Sequence, residues 1–399
     1  MSFLRLLLWV GTALLPGCGG DTTSQVIDPA LGPDGGGAVR EEAADADIVA
    51  PPDGPRPVAD AAPPAADAPP PLPRGCIQGS YTPYFGNFHA HTGYSDGAKT
   101  PREAFQYARD VAGLDILVVT DHLEQLHLPL GDRWGACKAE AAAEQRPGAF
   151  VASCGFEYGS GFTPLASSTG HANVFFSADL FVAIQLDFRD FYATLTACAD
   201  CVGQVNHPGS DKDEHFNHFE YHATADARLN LFEFNSDPAW ELYFEALDAG
   251  WHLSPMLNQD NHDADWGTEN DHRSGVLLDT LDLPALQAAL RQRRTFSTED
   301  KNAAITVIAA GACWMGSILA GTGVVDLVVE ARDVDTADGF AAITLYGRGQ
   351  QQLDDFDCQG QNPCLATFAV TAAQSPYFVA RADQADNDRL IAAPIWLSP

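Results

Sequence analysis

The chain has 399 residues, and its 54 Asp and Glu residues outnumber its 22 Lys and Arg residues, which gives a formal net charge of −32 at pH 7. Such a charge repels a phosphate backbone, so we expect no nucleic-acid partner. Hydrophobic residues make up 46% of the chain, which excludes a wholly disordered protein.

Residues 1–18 have the pattern of an export signal. Arg5 precedes a short apolar run at 6–15, whereas about 18 apolar residues are needed to span a bilayer. Residues 15–18 read Leu-Pro-Gly-Cys and resemble the lipobox of bacterial lipoproteins. We therefore expect an exported protein that contacts a membrane only through a lipid on Cys18, anchored to the bacterial cell envelope at the outer membrane or cell surface. The alternative is ordinary secretion, periplasmic or extracellular, with Cys18 removed.

Residues 19–74 are predicted to form a disordered tether. They contain no aromatic residue, and Pro, Ala and Asp dominate from residue 51 onward. This composition cannot bury a core, and it favours extended polyproline geometry of about 3.1 Å per residue. The segment therefore reads as a spacer that holds a folded domain away from a surface.

Strand-like and helical segments alternate between residues 75 and 302. The strand-like runs cover residues 84–91, 114–122, 150–157, 171–177, 202–207, 229–235 and 253–262. Thr100 and Glu103 form a capping box with Pro101 at the first helical position, and a second helix is predicted over 283–293. Alternating strands and helices predict a parallel sheet. Seven such units predict an α/β fold of the TIM-like barrel type, with functional groups at the carboxyl ends of the strands.

Residues 303–399 change character, because β-patterned runs separated by Gly-rich and Asp-rich turns replace the alternation. We expect a small antiparallel β-sandwich here. It would pack as a cap on the barrel or act as a module that recognises a polymer or partner. No metal-binding or nucleophilic set of residues stands out in this segment.

Cysteine usage agrees with export. Of nine cysteines, the eight that remain besides Cys18 form an even set, which suggests disulfides in an oxidising compartment. Cys358 and Cys364 are close enough to close a hairpin loop, and Cys198 and Cys201 suit a local bridge. The pairing of the other four cysteines stays open.

Histidines and carboxylates recur at or beside the ends of the predicted strands. This set comprises His89, His91, Asp96, His122, Glu157, His171, His207, Asp260 and His262. Neutral imidazoles and carboxylates together suit zinc, manganese or iron. Because side chains alternate along a strand, His89 and His91 would face the same side and hold one ion. Glu233 and Asn235 also share a strand face, and either point into the barrel mouth or serve structural hydrogen bonding.

Several motifs appear in the order typical of one family. Residues 86–97, Gly-Asn-Phe-His-Ala-His-Thr-Gly-Tyr-Ser-Asp-Gly, resemble the first motif of the PHP (polymerase and histidinol phosphatase) superfamily, and Thr120-Asp121-His122 resembles the second. Residues 206–208 and 260–262 resemble later motifs. The Gly-Asn-x-His start and the Arg-Arg-Thr-Phe at 293–296 are similar to the CehA/McbA-like metallohydrolase branch.

The resemblance implies a distorted (β/α)7 barrel that holds up to three divalent metal ions. His89, His91 and Asp260 would then hold the first metal, with Glu157 bridging to the second. His171 and His207 would complete the second site. Three further residues would hold the third metal: Asp96, His122 and His262. Asp121 would either orient a ligand or cap a strand end.

These expectations together predict a hydrolase, in which Glu157 and Asp260 belong to the catalytic machinery around a metal-bridged hydroxide. Arg273 would clamp a phosphate or carboxylate, or form a salt bridge at the rim. The first hypothesis is a phosphoesterase acting on small phosphate mono- or diesters. The second is a hydrolase of carbamate, ester or amide bonds, and the third is a non-catalytic surface binding protein that keeps metals for structure. The sequence predicts no oligomeric state.

Overall fold

The computed structural model describes residues 75–398, except 129–130, 160–169, 183–187, 210–214, 236–237 and 322. The predicted signal (1–18) and tether (19–74) therefore lie outside the described residues, and so does Cys18. Across the described ranges, no helix combines the length and the apolar character that crossing a membrane requires. The architecture is mixed α/β, with three sheets and a few short helices.

The strands are numbered in chain order. Those before residue 303 are β1 Thr82–Asn87, β2 Ile116–Val119, β3 Val151–Cys154, β4 Phe156–Tyr158, β5 Ala172–Phe175, β6 Val202–Val205, β7 Leu229–Glu233, β8 Ser254–Met256, β9 Arg273–Leu278 and β10 Thr295–Thr298. Those after it are β11 Ala304–Ala309, β12 Cys313–Trp314, β13 Ile318–Ala320, β14 Val325–Arg332, β15 Phe340–Gly347, β16 Gln351–Gln361, β17 Cys364–Val370, β18 Tyr377–Gln384, β19 Arg389–Ala392 and β20 Ile395–Ser398.

The α-helices are α1 Pro101–Tyr107, α2 Leu123–Leu126, α3 Arg133–Glu144, α4 Phe188–Ala197, α5 His215–Phe219, α6 Ala239–Ala249 and α7 Leu283–Arg291. The predicted capping box starts α1: the Thr100 hydroxyl accepts from the Glu103 backbone N–H, and the Glu103 carboxylate accepts from the Thr100 N–H. A π-helical turn, Ala108–Ala112, continues α1 and ends at Gly113 in the left-handed conformation that glycine favours.

The strands before residue 260 form two sheet segments that meet near their carboxyl ends. β1, β2 and β3 pair in parallel, and a five-stranded sheet runs in the order β4-β5-β6-β7-β8. Two isolated parallel bridges, Ala90 to Asn261 and His122 to Glu157, link the two segments. The expectation of a parallel sheet holds only in part, because β5 runs antiparallel to both β4 and β6.

The strands after residue 303 do not form a separate unit. β19 pairs with β10, which pairs with β9, so one sheet continues across residue 302 in the order β13-β20-β18-β19-β10-β9-β1-β2-β3. A four-stranded antiparallel sheet, β12-β11-β14-β17, belongs to the C-terminal segment. Leu277 and Phe296 share an apolar core with buried residues of these later strands. Burial of this shared apolar core therefore holds the C-terminal strands against the part of the chain that carries the histidines.

Four disulfides cross-link the described chain. The two predicted local bridges, Cys198–Cys201 and Cys358–Cys364, are both present. The pairs that the sequence left open are Cys76–Cys313, which spans 237 residues, and Cys137–Cys154. Such bridges are compatible with an oxidising compartment.

Candidate metal centre

The nine predicted ligands converge on one place. His89 and His91 follow β1, His122 follows β2, Glu157 lies in β4 and His207 follows β6. Beyond these, Asp260 and His262 follow β8, Asp96 lies in the loop before α1, and His171 precedes β5. His171 reaches the same place from the start of its strand because β5 runs antiparallel to β4, with Tyr158 opposite Ala172. Segments separated by more than a hundred residues thus supply one cluster.

His89 and His91 lie just beyond β1, whereas the sequence had suggested that they lie within the strand. The backbone there stays extended because His91 N–H donates to the Asn261 carbonyl and Ala90 pairs with Asn261. Both imidazoles therefore face the same side, as the alternation predicted, and their Nε2 atoms lie 3.3 Å apart. Asp260 Oδ1 lies 3.0 Å from each of these two nitrogens.

Glu157 is the centre of the cluster and is only 1% exposed. Its Oε1 lies 3.1 Å from His207 Nε2 and 3.2 Å from His171 Nδ1. Its Oε2 lies 2.9 Å from His122 Nδ1. Burial alone would raise the pKa of this carboxyl, but the surrounding imidazoles, His89 foremost, hold the pKa well below its usual value. Glu157 is therefore an ionised carboxylate that faces several imidazoles.

A second part of the cluster lies nearer the surface. Asp96 Oδ1 lies 3.4 Å from His262 Nε2, and Asp96 Oδ2 lies 3.5 Å from His122 Nε2. Burial would lower the pKa of His122, but the neighbouring carboxylates of Glu157 and Asp96 raise it to about 9. His122 thus connects the two parts through its two ring nitrogens.

The atoms present fit divalent cations. Ligand atoms lie within 4.8 Å of one another in four overlapping sets: His91, Asp96, His122 and His262; His89, His207 and Asp260; His89, His91 and Glu157; and Glu157, His171 and His207. Asp260 Oδ1 is buried and accepts no hydrogen bond, although two imidazole nitrogens lie 3.0 Å away. Nitrogens that approach a carboxylate oxygen without donating to it suit ligands arranged around a shared cation. Imidazole and carboxylate donors suit zinc, manganese or iron.

The backbone at two of these positions is strained. Asp260 has φ of 51° and His207 has φ of 26°, values that residues other than glycine rarely adopt. Such conformations persist only where the surrounding contacts hold them, and they are common at functional sites. The strain is therefore consistent with side chains being held in place for a ligand.

Glu233 has a more direct role at the cluster than the sequence indicated. It is fully buried, and its two carboxylate oxygens lie 3.1 and 3.2 Å from His89 Nδ1. It also accepts from the His207 backbone N–H at 2.8 Å. A carboxylate on the far nitrogen of a ligating histidine fixes the ring and its tautomer. The position of Glu233 at the end of β7 was the signal in the sequence that it lies near the ligands. The alternation of side chains gives only the face of the strand on which Glu233 lies, and it does not identify His89 as its partner.

Asp121 holds a loop and does not orient His122. Its carboxylate accepts from the Thr92 N–H at 2.8 Å, from the Thr92 hydroxyl at 2.7 Å and from the Ser95 hydroxyl at 2.5 Å. Ser95 Oγ in turn lies 3.3 Å from His91 Nδ1. Gly97 closes the same turn, where a Cβ would lie 2.6 Å from the His91 carbonyl carbon. The turn after His91 is thus fixed by Asp121 and by a glycine.

Arg273 does not have the position of an anion clamp. The side chain is buried, with 4% exposure, and its guanidinium donates to the backbone carbonyls of Gly267, Asn270 and His272. Burial lowers its pKa. Arg273 therefore holds the loop at 267–272 together, which corrects both the predicted clamp and the predicted rim salt bridge.

A cleft of about 560 Å³ adjoins Asp260. Its lining combines residues near the ligands, including Asn258 and Gln259, with Trp240 of α6. Arg381 and Arg389 reach it from β18 and β19. This volume is within the usual range for small-molecule sites. The C-terminal strands therefore contribute directly to the cavity beside the cluster.

Comparisons with known proteins find only distant similarity to solved structures. No family model and no curated protein matches the chain. A two-domain protein from Bacteroides vulgatus, containing a predicted PHP-like metal-dependent phosphoesterase, has 18% identity and a TM-score of 0.45 over 78% of this chain and 94% of its own. The lesion-specific endonuclease PfuEndoQ from Pyrococcus furiosus has 13% identity and a TM-score of 0.35 over 53% of this chain and 56% of its own. Both scores lie below 0.5, so they assign the chain to no family.

Proposed function

We propose that the protein is a metal-dependent hydrolase of the PHP type that acts as a phosphoesterase on small phosphate mono- or diesters. The observation that carries this proposal is the convergence of five imidazoles on the buried carboxylate of Glu157, with Asp260 against two of the same rings. A shared carboxylate between two sets of imidazoles is the arrangement expected for adjacent metal sites.

His89, His91 and Asp260 would hold one ion, and His171 and His207 would hold a second, with Glu157 between them. Three residues nearer the surface would hold a third: Asp96, His122 and His262. Divalent metals at such sites would lower the pKa of water towards about 7 and neutralise charge on a phosphoryl oxygen. We include zinc, manganese and iron as candidates.

The protein's own groups prepare this site. Glu157 remains ionised, so it offers both oxygens without first losing a proton. Glu233 fixes the His89 ring through Nδ1 and leaves Nε2 directed at Glu157 and Asp260. The cleft beside Asp260 would take the rest of the substrate, with Trp240 and Phe234 on one wall and Arg381 among the cationic groups. Arg381 and Arg389 are paired with Asp383 and Glu299, and the lining also carries Glu241 and Glu269, so bound cations would supply most of the positive charge that an anionic substrate needs.

The two linked sheet segments would form the distorted (β/α)7 barrel at 75–302, with the later strands as a β-sandwich that closes the cleft. The similarity of residues 86–89 and 293–296 to the CehA/McbA-like branch supports the proposal that the chain belongs there. We also propose export with a lipid on Cys18. The four disulfides suit an oxidising compartment and so support export, whereas the lipid rests on the sequence of residues 15–18 alone.

Hydrolysis of carbamate, ester or amide bonds is the second candidate. The aromatic side chains of Phe234 and Trp240 in the cleft wall favour it, because they would pack against an aryl leaving group. Both candidates use the same ligands, so they differ only in the group that the cleft accepts. A non-catalytic binding protein is the outcome if neither substrate class is turned over.

The test combines metal analysis with a substrate panel. Purified protein loaded with zinc, manganese or iron would be assayed against nitrophenyl phosphate, bis-nitrophenyl phosphate and naphthyl carbamates. We expect phosphoester turnover that His89→Ala abolishes together with its metal content. His218→Ala is the matched control, because His218 is 76% exposed and lies outside the ligand sets. Strong carbamate turnover without phosphoester turnover would reverse the ranking, and no turnover with any metal would overturn the enzymatic proposal.

A further inference from the structure

A second group of acidic side chains lies among the C-terminal strands. Asp300 follows β10, while Asp333 and Asp338 lie in the loop between β14 and β15, and one oxygen of each lies within 4.8 Å of the others. Within the described part of the chain, none of the three forms an ion pair with Lys or Arg. Burial and the neighbouring carboxylates raise the pKa of Asp333. The cluster thus concentrates negative charge, and Arg273 interacts with Asp300 only at longer range.

Two amide groups beside these carboxylates have buried oxygens without a partner. Gln384, which is 2% exposed, donates through Nε2 to Asp333 Oδ2 at 2.8 Å, so its amide lies against the cluster. Its Oε1 is buried and accepts no hydrogen bond. Asn302 donates through Nδ2 to Asp335 Oδ2 at 3.0 Å, and its Oδ1 is likewise buried without a partner. Buried acceptors are normally satisfied, so the orphaned oxygen of Gln384, whose amide contacts Asp333 of the cluster, points to a missing ligand.

The chemistry of this set differs from that of the histidine cluster. All of the available atoms are oxygens, from carboxylates and side-chain amides, and such donors select hard cations. Calcium accepts six to eight oxygens in flexible geometry, whereas magnesium demands near-ideal octahedral geometry and keeps several waters. A small cavity of about 250 Å³, lined in part by Asp338 and Gly339, opens beside the group. It would admit an ion with its water.

We propose that Asp300, Asp333 and Asp338, together with the amide oxygen of Gln384, bind one calcium ion. The ion would join the turn after β10, the β14–β15 loop and the end of β18, which belong to two different sheets. Glu299 in the same turn pairs with Arg389, and both line the cleft beside Asp260. Calcium would therefore hold one wall of that cleft. This site does not depend on the proposed hydrolytic activity.

Calorimetric titration of calcium chloride into the zinc-loaded full-length chain tests the site. Zinc occupies the histidine cluster first, so calcium reports only on the oxygen cluster. We expect one equivalent with a Kd of roughly 10⁻⁴ to 10⁻³ M, the range of extracellular calcium modules. Calcium should also raise the thermal unfolding midpoint, and magnesium at the same concentration should raise it less.

Asp338→Asn is the diagnostic variant, because the Asp338 carboxylate makes no hydrogen bond to the described residues and the fold should survive its change. We expect calcium affinity to fall at least about tenfold. Asp326→Asn, on an exposed position of β14, should leave it unchanged. Asp300→Asn provides a second variant that retains an oxygen for the Asn302 and Ala303 N–H groups. The proposal is overturned if the wild type binds no calcium at about 10 mM, or if either folded variant binds it as tightly as the wild type.

Discussion

The deep and outer parts of the histidine cluster are built differently. His89 and Glu157 are 0% and 1% exposed, whereas Asp96 and His262 are 45% and 42% exposed. Around the deep part, buried polar groups fix His89 and Glu157, because Glu233 contacts the His89 ring and Asn206 donates to Glu157. By contrast, the Asp96 carboxylate accepts no hydrogen bond from the described residues.

This difference implies two degrees of preorganisation. The deep ligands are held by the fold, so little conformational entropy remains to be lost when a cation binds. The outer residues Asp96 and His262 are exposed, and no hydrogen bond from the described residues holds the Asp96 carboxylate, so a cation must order that carboxylate itself. We therefore expect the deep ions to bind more tightly than the outer one, and the following changes test that ranking.

Glu157→Gln should have the largest effect. The change keeps the shape but removes the charge that faces five imidazoles, so both deep ions lose their shared ligand. We expect kcat to fall roughly 10³-fold, as on removal of a central electrostatic group. Steady-state kinetics together with elemental analysis would measure this. A variant that keeps its full metal content and kcat within tenfold of wild type would disprove the central role of Glu157.

Glu233→Gln should have the next largest effect. Glu233 touches a ligand and not a cation, so the loss comes through the freed His89 ring and its tautomer. Such outer partners are typically worth 10- to 100-fold in metal affinity or activity. Competition titration with a chromophoric chelator would measure the affinity.

Glu241→Gln is the matched control for Glu233→Gln. Glu241 lies in the lining of the same cleft but is exposed on α6. It should therefore leave metal affinity unchanged. Equal effects of the two substitutions would show that general charge in the cleft, and not the contact with His89, sets the affinity.

His262→Ala should have a smaller effect that is confined to the outer part. We expect the bound metal to fall by one equivalent, with activity reduced about tenfold or less, since the contacts of Glu157 with the deep imidazoles do not involve His262. Elemental analysis after gel filtration gives the stoichiometry. Loss of all metal from this variant would mean that the two parts bind cations as one unit.

The location of the ligands was predictable because histidine and carboxylate recurred at strand ends, where parallel strands bring side chains together. His89 and His91 are the clearest case, since alternation alone requires them to share a side. The direction of β5 was not predictable, because hydrophobic patterning is the same for a strand read in either direction. His171 accordingly reaches the cluster from the start of its strand and not from the end.

Other features depend on contacts between distant segments. Cys76 and Cys313 are 237 residues apart, and no local rule pairs them. The pairing of β19 with β10 carries one sheet past residue 302, where the change in sequence pattern had suggested a separate sandwich. Patterning reports which face of a strand is buried, but not which strand lies beside it.

Arg273→Lys should have the smallest effect on catalysis. A buried guanidinium that donates to three backbone carbonyls of one loop is a structural group, and lysine can replace only part of that fork. Unpaired carbonyls should lower the free energy of unfolding by about 1–3 kcal/mol, measurable by chemical denaturation. KM for a phosphoester should stay within about twofold, because the side chain does not face the substrate. A large rise in KM at unchanged stability would instead restore Arg273 as an anion clamp, and would show that the loop rearranges when substrate binds.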